Sequence, residues 1–122
     1  MWDDTLLMVI TDHGFLLGEH DWWGKMRMPW YNENAHIPLF VWDPRVGKRD
    51  LRRSSLTQII DIGPTLLNYF DLEPPPDMQG RTLQGIVEND TPNRDTAIYG
   101  MFGGHVNITD GRYVYMLSLI HI

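Results

Sequence analysis

The feature that most constrains the fold is a short apolar segment, TLLMVIT at residues 5–11, which stops abruptly at Asp12, His13 and Gly14. An apolar run bounded in this way is typical of a strand that is buried on both faces of a parallel sheet. A buried helix could give the same run, but the sharp polar and glycine boundary favours a strand. Ligands of open α/β sheets bind beyond the carboxyl ends of strands, so Asp12 and His13 are predicted to lie where chemistry occurs.

The remaining patterns predict one more sheet strand, one packing helix and several short strands. Residues 37–42, IPLFVW, are rich in strand formers. Residues 59–70 carry apolar side chains at helical spacing, and Asp61 is positioned to cap the first turn of that helix. Residues 97–101 and 112–116 read as short strands near the C-terminal end. This order predicts an α/β fold with a mostly parallel central sheet and short C-terminal strands.

Composition limits the class of protein and of partner. The 122 residues suffice for one domain or a piece of one, and 43% hydrophobic with 21% charged residues is ordinary for a globular protein. A formal charge of -6 disfavours nucleic-acid binding, while small anionic substrates need only a local positive group or a metal. No segment is long and apolar enough to predict a membrane span. The absence of cysteine excludes disulfides and thiolate chemistry.

The segment between Gly14 and Ala35 has no clean period, and we predict a long functional loop with at most one short helical turn. Its first part concentrates groups that bind metals or transfer protons: Asp12, His13, Glu19, His20, Asp21 and Lys25. Carboxylate and imidazole side by side suit a divalent cation, and a nearby ammonium could stabilise negative charge on a substrate. From spacing alone, these residues could equally be ordinary turn formers and solvated loop residues without a functional role.

Four motifs, in order, resemble the sulfatases of the alkaline phosphatase superfamily. The first is DHGFLLGEH at residues 12–20 followed by Gly-Lys at 24–25, which is similar to the signature in which a strand ends in Asp-His-Gly. The others are HIPLFV at 36–41, DIGPTLL at 61–67 and TDGRYVY at 109–115. The resemblance covers nearly the whole chain, residues 1–122, and implies part of an alkaline phosphatase-like sandwich.

The resemblance also implies a reaction and a set of roles. Asp12 and His13 match two ligands of the divalent metal, usually calcium, with manganese possible, and Lys25 matches the lysine that binds the sulfate or phosphate group. His20 lies on the motif and is predicted either to act in catalysis or to hold the loop by hydrogen bonds. The expected activity is sulfuric ester hydrolysis, possible substrates including a sulfated sugar. The formylglycine or serine nucleophile of the family is expected upstream, so this chain alone should not turn over.

Two other functions stay open. A phosphodiester or phosphonate monoester hydrolase of the same superfamily would use the same residues, and a non-catalytic module could use the loop and the basic segment 48–53 as a partner surface. Trp22, Trp23, Trp30 and Tyr31 could stack on a sugar ring or form the core of the loop. We interpret residues 117–122 as a truncated or foreign end. The resemblance alone suggests a periplasmic or secreted protein.

Overall fold

The computed structural model describes residues 2–25, 30–101 and 103–117. In chain order the elements are β1 (Leu7–Ile10), β2 (Leu16–Leu17), β3 (Trp23–Gly24), α1 (Asn32–Ala35), β4 (Leu39–Trp42), α2 (Ile62–Tyr69), α3 (Gln84–Asn89), β5 (Ala97–Gly100), β6 (Val106–Thr109) and β7 (Val114–Leu117). The predicted α/β class and short C-terminal strands are confirmed. Of the end at 117–122, only Leu117 lies within the described residues. None of the helices in the described ranges combines the length and apolar character that crossing a bilayer requires.

The two predicted sheet strands, β1 and β4, are hydrogen-bonded neighbours in a two-stranded sheet. The run at residues 5–11 is therefore a strand and not a helix. The prediction that this strand is buried on both faces is wrong for this chain, because Leu7, Val9 and Ile10 are 42%, 53% and 39% exposed. Because β1 belongs to a two-stranded sheet, few side chains cover its faces and those faces stay in contact with water.

The chain divides into two compact units, one comprising Met1–Met8 and Val41–Ala97 and the other Val9–Phe40 and Ile98–Ile122. The first is organised around the buried carboxylate of Asp61, which is 0% exposed. It accepts hydrogen bonds from the backbone N–H groups of Gln58 at 2.8 Å and Arg81 at 2.9 Å, and it pairs with Arg94. A buried carboxylate needs such partners to remain charged. The prediction that Asp61 caps the first turn of the helical stretch 59–70 is confirmed, because its carboxylate accepts the Gln58 N–H in a capping box of the 3-10 turn Ile59–Asp61, which leads directly into α2.

The basic segment of the first unit is engaged in structure. Lys48 donates to the carbonyl of Glu88 at 2.6 Å, and Arg53 donates to the carbonyls of Val87 and Glu88 at 2.6 and 3.0 Å. Cationic side chains stabilise the C-terminal end of a helix by satisfying its last carbonyls, and here that helix is α3. These two cations therefore hold a helix end, which leaves less of the segment for the predicted partner surface.

The second unit contains more regular structure than the predicted loop. β2 and β3 form an antiparallel hairpin with Leu16 opposite Gly24, and Leu16 is fully buried. A 3-10 turn, Glu19–Asp21, connects the two strands. Farther along the chain β5, β6 and β7 form a three-stranded sheet, in which β6 and β7 pair antiparallel. The hairpin matters for function because it carries the motif from residue 14 to Lys25.

The turn between β6 and β7 forms as its sequence predicts. The Asp110 carboxylate accepts hydrogen bonds from the N–H groups of Arg112 at 2.9 Å and Tyr113 at 2.7 Å. Gly111 takes a positive φ of 87°, which glycine adopts without strain. The Asp-Gly pair thus closes a hairpin whose second strand, β7, is exposed along its length.

Candidate metal and anion site

The candidate site begins where β1 ends. Backbone N–H of His13 donates to Asp12 Oδ1 at 3.0 Å, and the Thr11 hydroxyl donates to the carbonyl of His13 at 3.1 Å. These short-range bonds fold the chain back on itself immediately after the strand. They leave the Asp12 side chain 82% exposed, with its second oxygen directed to solvent and to the neighbouring imidazole.

The imidazole of His13 is oriented by the residue that follows it. Its Nδ1 lies 2.9 Å from the carbonyl oxygen of Gly14, which can only accept a hydrogen bond. Nδ1 therefore carries the proton in the neutral ring, and Nε2 keeps its lone pair. That nitrogen lies 3.5 Å from Asp12 Oδ2. A histidine held through one ring nitrogen in this way presents the other as a ligand.

Lys25 reaches the same point from the end of β3. Its Nζ lies 2.8 Å from His13 Nε2, so the ammonium donates to the free lone pair of the ring. The β2–β3 hairpin makes this possible, since pairing of Leu16 with Gly24 returns the chain toward its start. Three of the four residues predicted from sequence, Asp12, His13 and Lys25, thus meet in one cluster.

Gly14 joins this cluster to α1. Its N–H donates to the carbonyl of Asn34 at 2.9 Å, and a Cβ added at Gly14 would lie 1.7 Å from the carbonyl oxygen of Glu33. No side chain fits into that space. Only glycine lets the loop after His13 lie directly against the helix backbone, a requirement that the sequence pattern did not indicate.

The carboxylates of the loop are held in their charged form. Partial desolvation raises the pKa of Asp12, but hydrogen bonds from the backbone of Asp12 and His13 and the nearby His13 ring outweigh it, so the pKa lies below its usual value. The pKa of Glu19 is also lowered, mainly because the N–H of Leu17 donates to its Oε2 at 2.6 Å. Both groups are anionic at neutral pH.

The donor set fits part of a site for a divalent cation. One carboxylate oxygen and one imidazole nitrogen are ligands that calcium, manganese and similar ions accept in combination with others. Among the described residues no group of three or more histidine, cysteine, aspartate or glutamate side chains could enclose a metal. Asp12 and His13 would therefore supply two ligands of a metal site and could not complete it.

His20 has different neighbours from the other three predicted residues. It adopts a positive φ of 56°, and its ring stacks on that of Tyr31 with centroids 3.7 Å apart and planes inclined by 10°. Its Nε2 lies 3.5 Å from Glu33 Oε2. Both alternatives for His20, a catalytic role and a structural role through hydrogen bonds, stay predictions. Glu33, which sequence reasoning did not select, is a polar neighbour of the motif.

Comparison with known proteins identifies the family. Residues 18–115 match the family described as N-sulphoglucosamine sulphohydrolase, C-terminal. The chain belongs to the sulfatase family. It is 35% identical over 88 residues to the N-acetylglucosamine-6-O-sulfatase of Bacteroides thetaiotaomicron, covering 72% of this chain and 15% of that protein. It is 33% identical over 94 residues to the multifunctional alkaline phosphatase superfamily protein PehA of Trinickia caryophylli, covering 75% of this chain and 18% of that protein.

A solved structure shows the same fold. The structure of BT4656 in complex with its substrate D-glucosamine-2-N,6-O-disulfate superimposes with a TM-score of 0.84 at 30% sequence identity. The match covers 98% of this chain and 26% of that one. The sulfatase-type, alkaline phosphatase-like fold predicted from the motifs is confirmed. The chain spans less than a fifth of the length of these curated relatives, with 15% and 18% covered.

Proposed function

We propose that this chain supplies part of the active site of a metal-dependent sulfuric ester hydrolase. The observation that carries the proposal is the convergence of the Asp12 carboxylate, His13 Nε2 and Lys25 Nζ, with 2.8 Å between the last two. An anionic ligand, a neutral nitrogen ligand and a cation at one point suit a site that holds a metal and a sulfate together. Membership of the sulfatase family supports the same function.

Each residue of the cluster has a separate task. Asp12 contributes a charged oxygen ligand, which its lowered pKa keeps available at neutral pH. His13 would contribute Nε2, since its Nδ1 proton is donated to the Gly14 carbonyl. The Lys25 ammonium donates to the same lone pair here and would have to turn toward the sulfate when a metal binds. A bound divalent metal, most simply calcium, would supply Lewis-acid stabilisation of negative charge. The nucleophile, expected to be formylglycine, would come from a part of the enzyme outside this sequence.

Lys25 acts on the transferred group. Its ammonium is a compact point charge with three donors, one of which now faces the His13 ring. In the complete site it would donate a hydrogen bond to a nonbridging oxygen of the sulfate ester. It would thereby stabilise the negative charge that develops as the S–O bond breaks. The proposed substrate is a small anionic ester, in particular a sulfated sugar, the class acted on by the relatives named above.

A phosphodiester or phosphonate monoester hydrolase is the second candidate, because the chain is also similar to a multifunctional member of the alkaline phosphatase superfamily. The test is steady-state kinetics of the complete enzyme on an aryl sulfate and an aryl phosphate diester with the same leaving group. We expect a higher kcat/KM for the sulfate. A preference for the diester would replace the first proposal by the second, and inactivity on both would refute each of them.

A further inference from the structure

The second unit contains an open cleft of about 340 Å³ that is separate from the Asp12–His13–Lys25 contacts. Its walls come from three places in the chain: the 3-10 turn with His20, the beginning of α1 with Tyr31 and Glu33, and the strands β5 and β7. Such a volume is in the range of small-molecule sites, which are concave, largely apolar and have few polar groups. The cleft is therefore large enough for one sugar ring.

Aromatic side chains make up much of the lining. Trp30, Tyr31 and Tyr99 all border the cleft. Flat apolar faces with a polar edge provide contact area to a ligand that is apolar on one side and hydroxylated at its rim. A pyranose ring has this character. Of the four aromatic residues for which the sequence left sugar stacking or loop core open, Trp30 and Tyr31 line this cleft, whereas Trp22 and Trp23 do not.

The polar side chains of the cleft are held in place by contacts with one another before any ligand binds. The His20 ring is stacked on Tyr31 at 3.7 Å, and the Glu33 carboxylate lies 3.5 Å from His20 Nε2. These two contacts fix the two rings and the carboxylate relative to one another. Glu33 is 37% exposed, so its oxygens remain open to a ligand. A carboxylate in this position accepts hydrogen bonds from hydroxyl or ammonium groups and repels a sulfate.

The backbone connects this cleft to the candidate metal and anion site. His20 lies in the turn of the hairpin whose second strand, β3, leads directly into Lys25, and the residue after His13 lies against the backbone of Glu33 and Asn34. A substrate whose sulfate is bound by Lys25 would therefore have the rest of its structure near α1. This step depends on the proposed sulfatase function.

We propose that the cleft binds the ring of a sulfated sugar by its uncharged, hydroxyl-bearing part, and that Glu33 selects against a second sulfate on that ring. Glu33 is then a specificity-determining residue of the proposed reaction. Its effect appears as a ratio between substrates and leaves attack at the first sulfate unchanged. The aromatic wall contributes affinity for the ring itself and nothing for a short alkyl sulfate, which has no ring to stack.

The first experiment uses Glu33→Gln in the complete enzyme, with Glu73→Gln, an exposed glutamate of the first unit, as the matched control. Kinetics are measured on a glucosamine derivative with one sulfate and on the same sugar with two. Removing the charge should raise the ratio of kcat/KM for the disulfate over the monosulfate by about 10-fold or more, since like charges in contact cost several kcal/mol. Glu73→Gln should leave this ratio unchanged. An unchanged ratio for Glu33→Gln would overturn the role of Glu33.

The second experiment uses Tyr99→Leu, with Tyr115→Leu as control. Tyr115 lies on β7 between Val114 and Met116, which line the cleft, so the alternation of a strand directs Tyr115 to the opposite face. Tyr99→Leu should raise KM for the sugar monosulfate by about 10-fold, as expected when one stacking contact is lost. It should leave kcat/KM for a short alkyl sulfate, which has no ring to stack on Tyr99, within about 2-fold.

The two proposals fail in different ways. If the wild-type enzyme hydrolyses neither the short alkyl sulfate nor the sugar sulfates, the sulfatase function is wrong and the sugar cleft with it. If the enzyme hydrolyses both, but Tyr99→Leu lowers both activities equally or changes neither, the cleft alone is refuted. Selective loss of the sugar sulfate, together with the altered disulfate ratio of Glu33→Gln, would establish the subsite.

Discussion

Replacing Gly14 by alanine tests whether the close approach between the motif and α1 positions the candidate metal ligands. The added Cβ would lie 1.7 Å from the carbonyl oxygen of Glu33 and 2.7 Å from its carbon. Real Cβ atoms essentially never approach another heavy atom closer than 3.0 Å, so the two backbones must separate by at least 3.0 − 1.7 = 1.3 Å. Neither partner is a flexible side chain that could move aside.

The expected loss of folding stability has two contributions. Forcing an extra methyl group into a filled space costs about 1–3 kcal/mol. Separation also breaks the hydrogen bond from the Gly14 N–H to the Asn34 carbonyl, 2.9 Å long, which is worth about 1 kcal/mol. The same movement displaces the Gly14 carbonyl that orients His13 Nδ1. Loss of such an orienting partner typically weakens metal binding by about 10- to 100-fold, and we expect an effect of this size.

The measurement is calcium affinity of the complete enzyme by calorimetric titration, accompanied by thermal unfolding. Gly85→Ala in α3 is the matched control, because a Cβ there would lie 3.5 Å from its nearest neighbours, an ordinary contact distance. Alanine is also the better helix former, so this control should be neutral or slightly stabilising. If Gly14→Ala binds calcium as tightly as wild type, the approach to α1 does not position His13, and the reasoning from the 1.7 Å contact is wrong.

Three further predictions concern single residues. Asp12→Ala should weaken metal affinity by about 10-fold or more, since a direct ligand matters at least as much as its supports; unchanged metal content after dialysis would contradict this. Lys25→Ala should lower turnover on an aryl sulfate by about 10² to 10³ with much less change in substrate binding, and Lys25→Arg should not restore it fully; a near-normal rate for Lys25→Ala would mean that the lysine is only a solvated loop residue. Asp90, whose pKa is lowered mainly by the Ser54 N–H and by Ser55, should stabilise the fold above its ordinary value of 3.8. Asp90→Asn should therefore lower the Tm at pH 7, and the difference from wild type should shrink as the pH falls below 3.8; a gap independent of pH would refute this assignment.

Local sequence predicted the elements whose signals are contained within a few residues. The apolar run before Asp12 formed β1, the Asp110–Gly111 turn closed its hairpin, and the helical spacing after residue 59 produced α2. The hairpin β2–β3 was missed and assigned to a loop, because each of its strands has two residues and shows no period. Two-residue strands are specified by their pairing and by glycines at the turn, not by alternation of apolar side chains.

Asp61 combines a local role with a tertiary one. Its carboxylate caps the first helical turn by accepting the Gln58 N–H, as the local sequence predicts, and it also pairs in the interior with Arg94, a residue 33 positions away. The ion pair depends on the tertiary structure and leaves no signal near Asp61 in the sequence. Only knowledge of which distant cation arrives there could have predicted this.

The sequence by itself determined the family-type motif, the order of strands and helices, and the chemistry of Asp12, His13 and Lys25, because residue type and short spacing fix which groups follow the end of β1. The tertiary structure alone decided which of these groups meet. It directed His13 Nε2 toward Lys25, required glycine at position 14, and placed His20 on Tyr31 beside Glu33. These outcomes depend on how a hairpin returns and where α1 packs, and such contacts between residues far apart in the chain leave no local pattern.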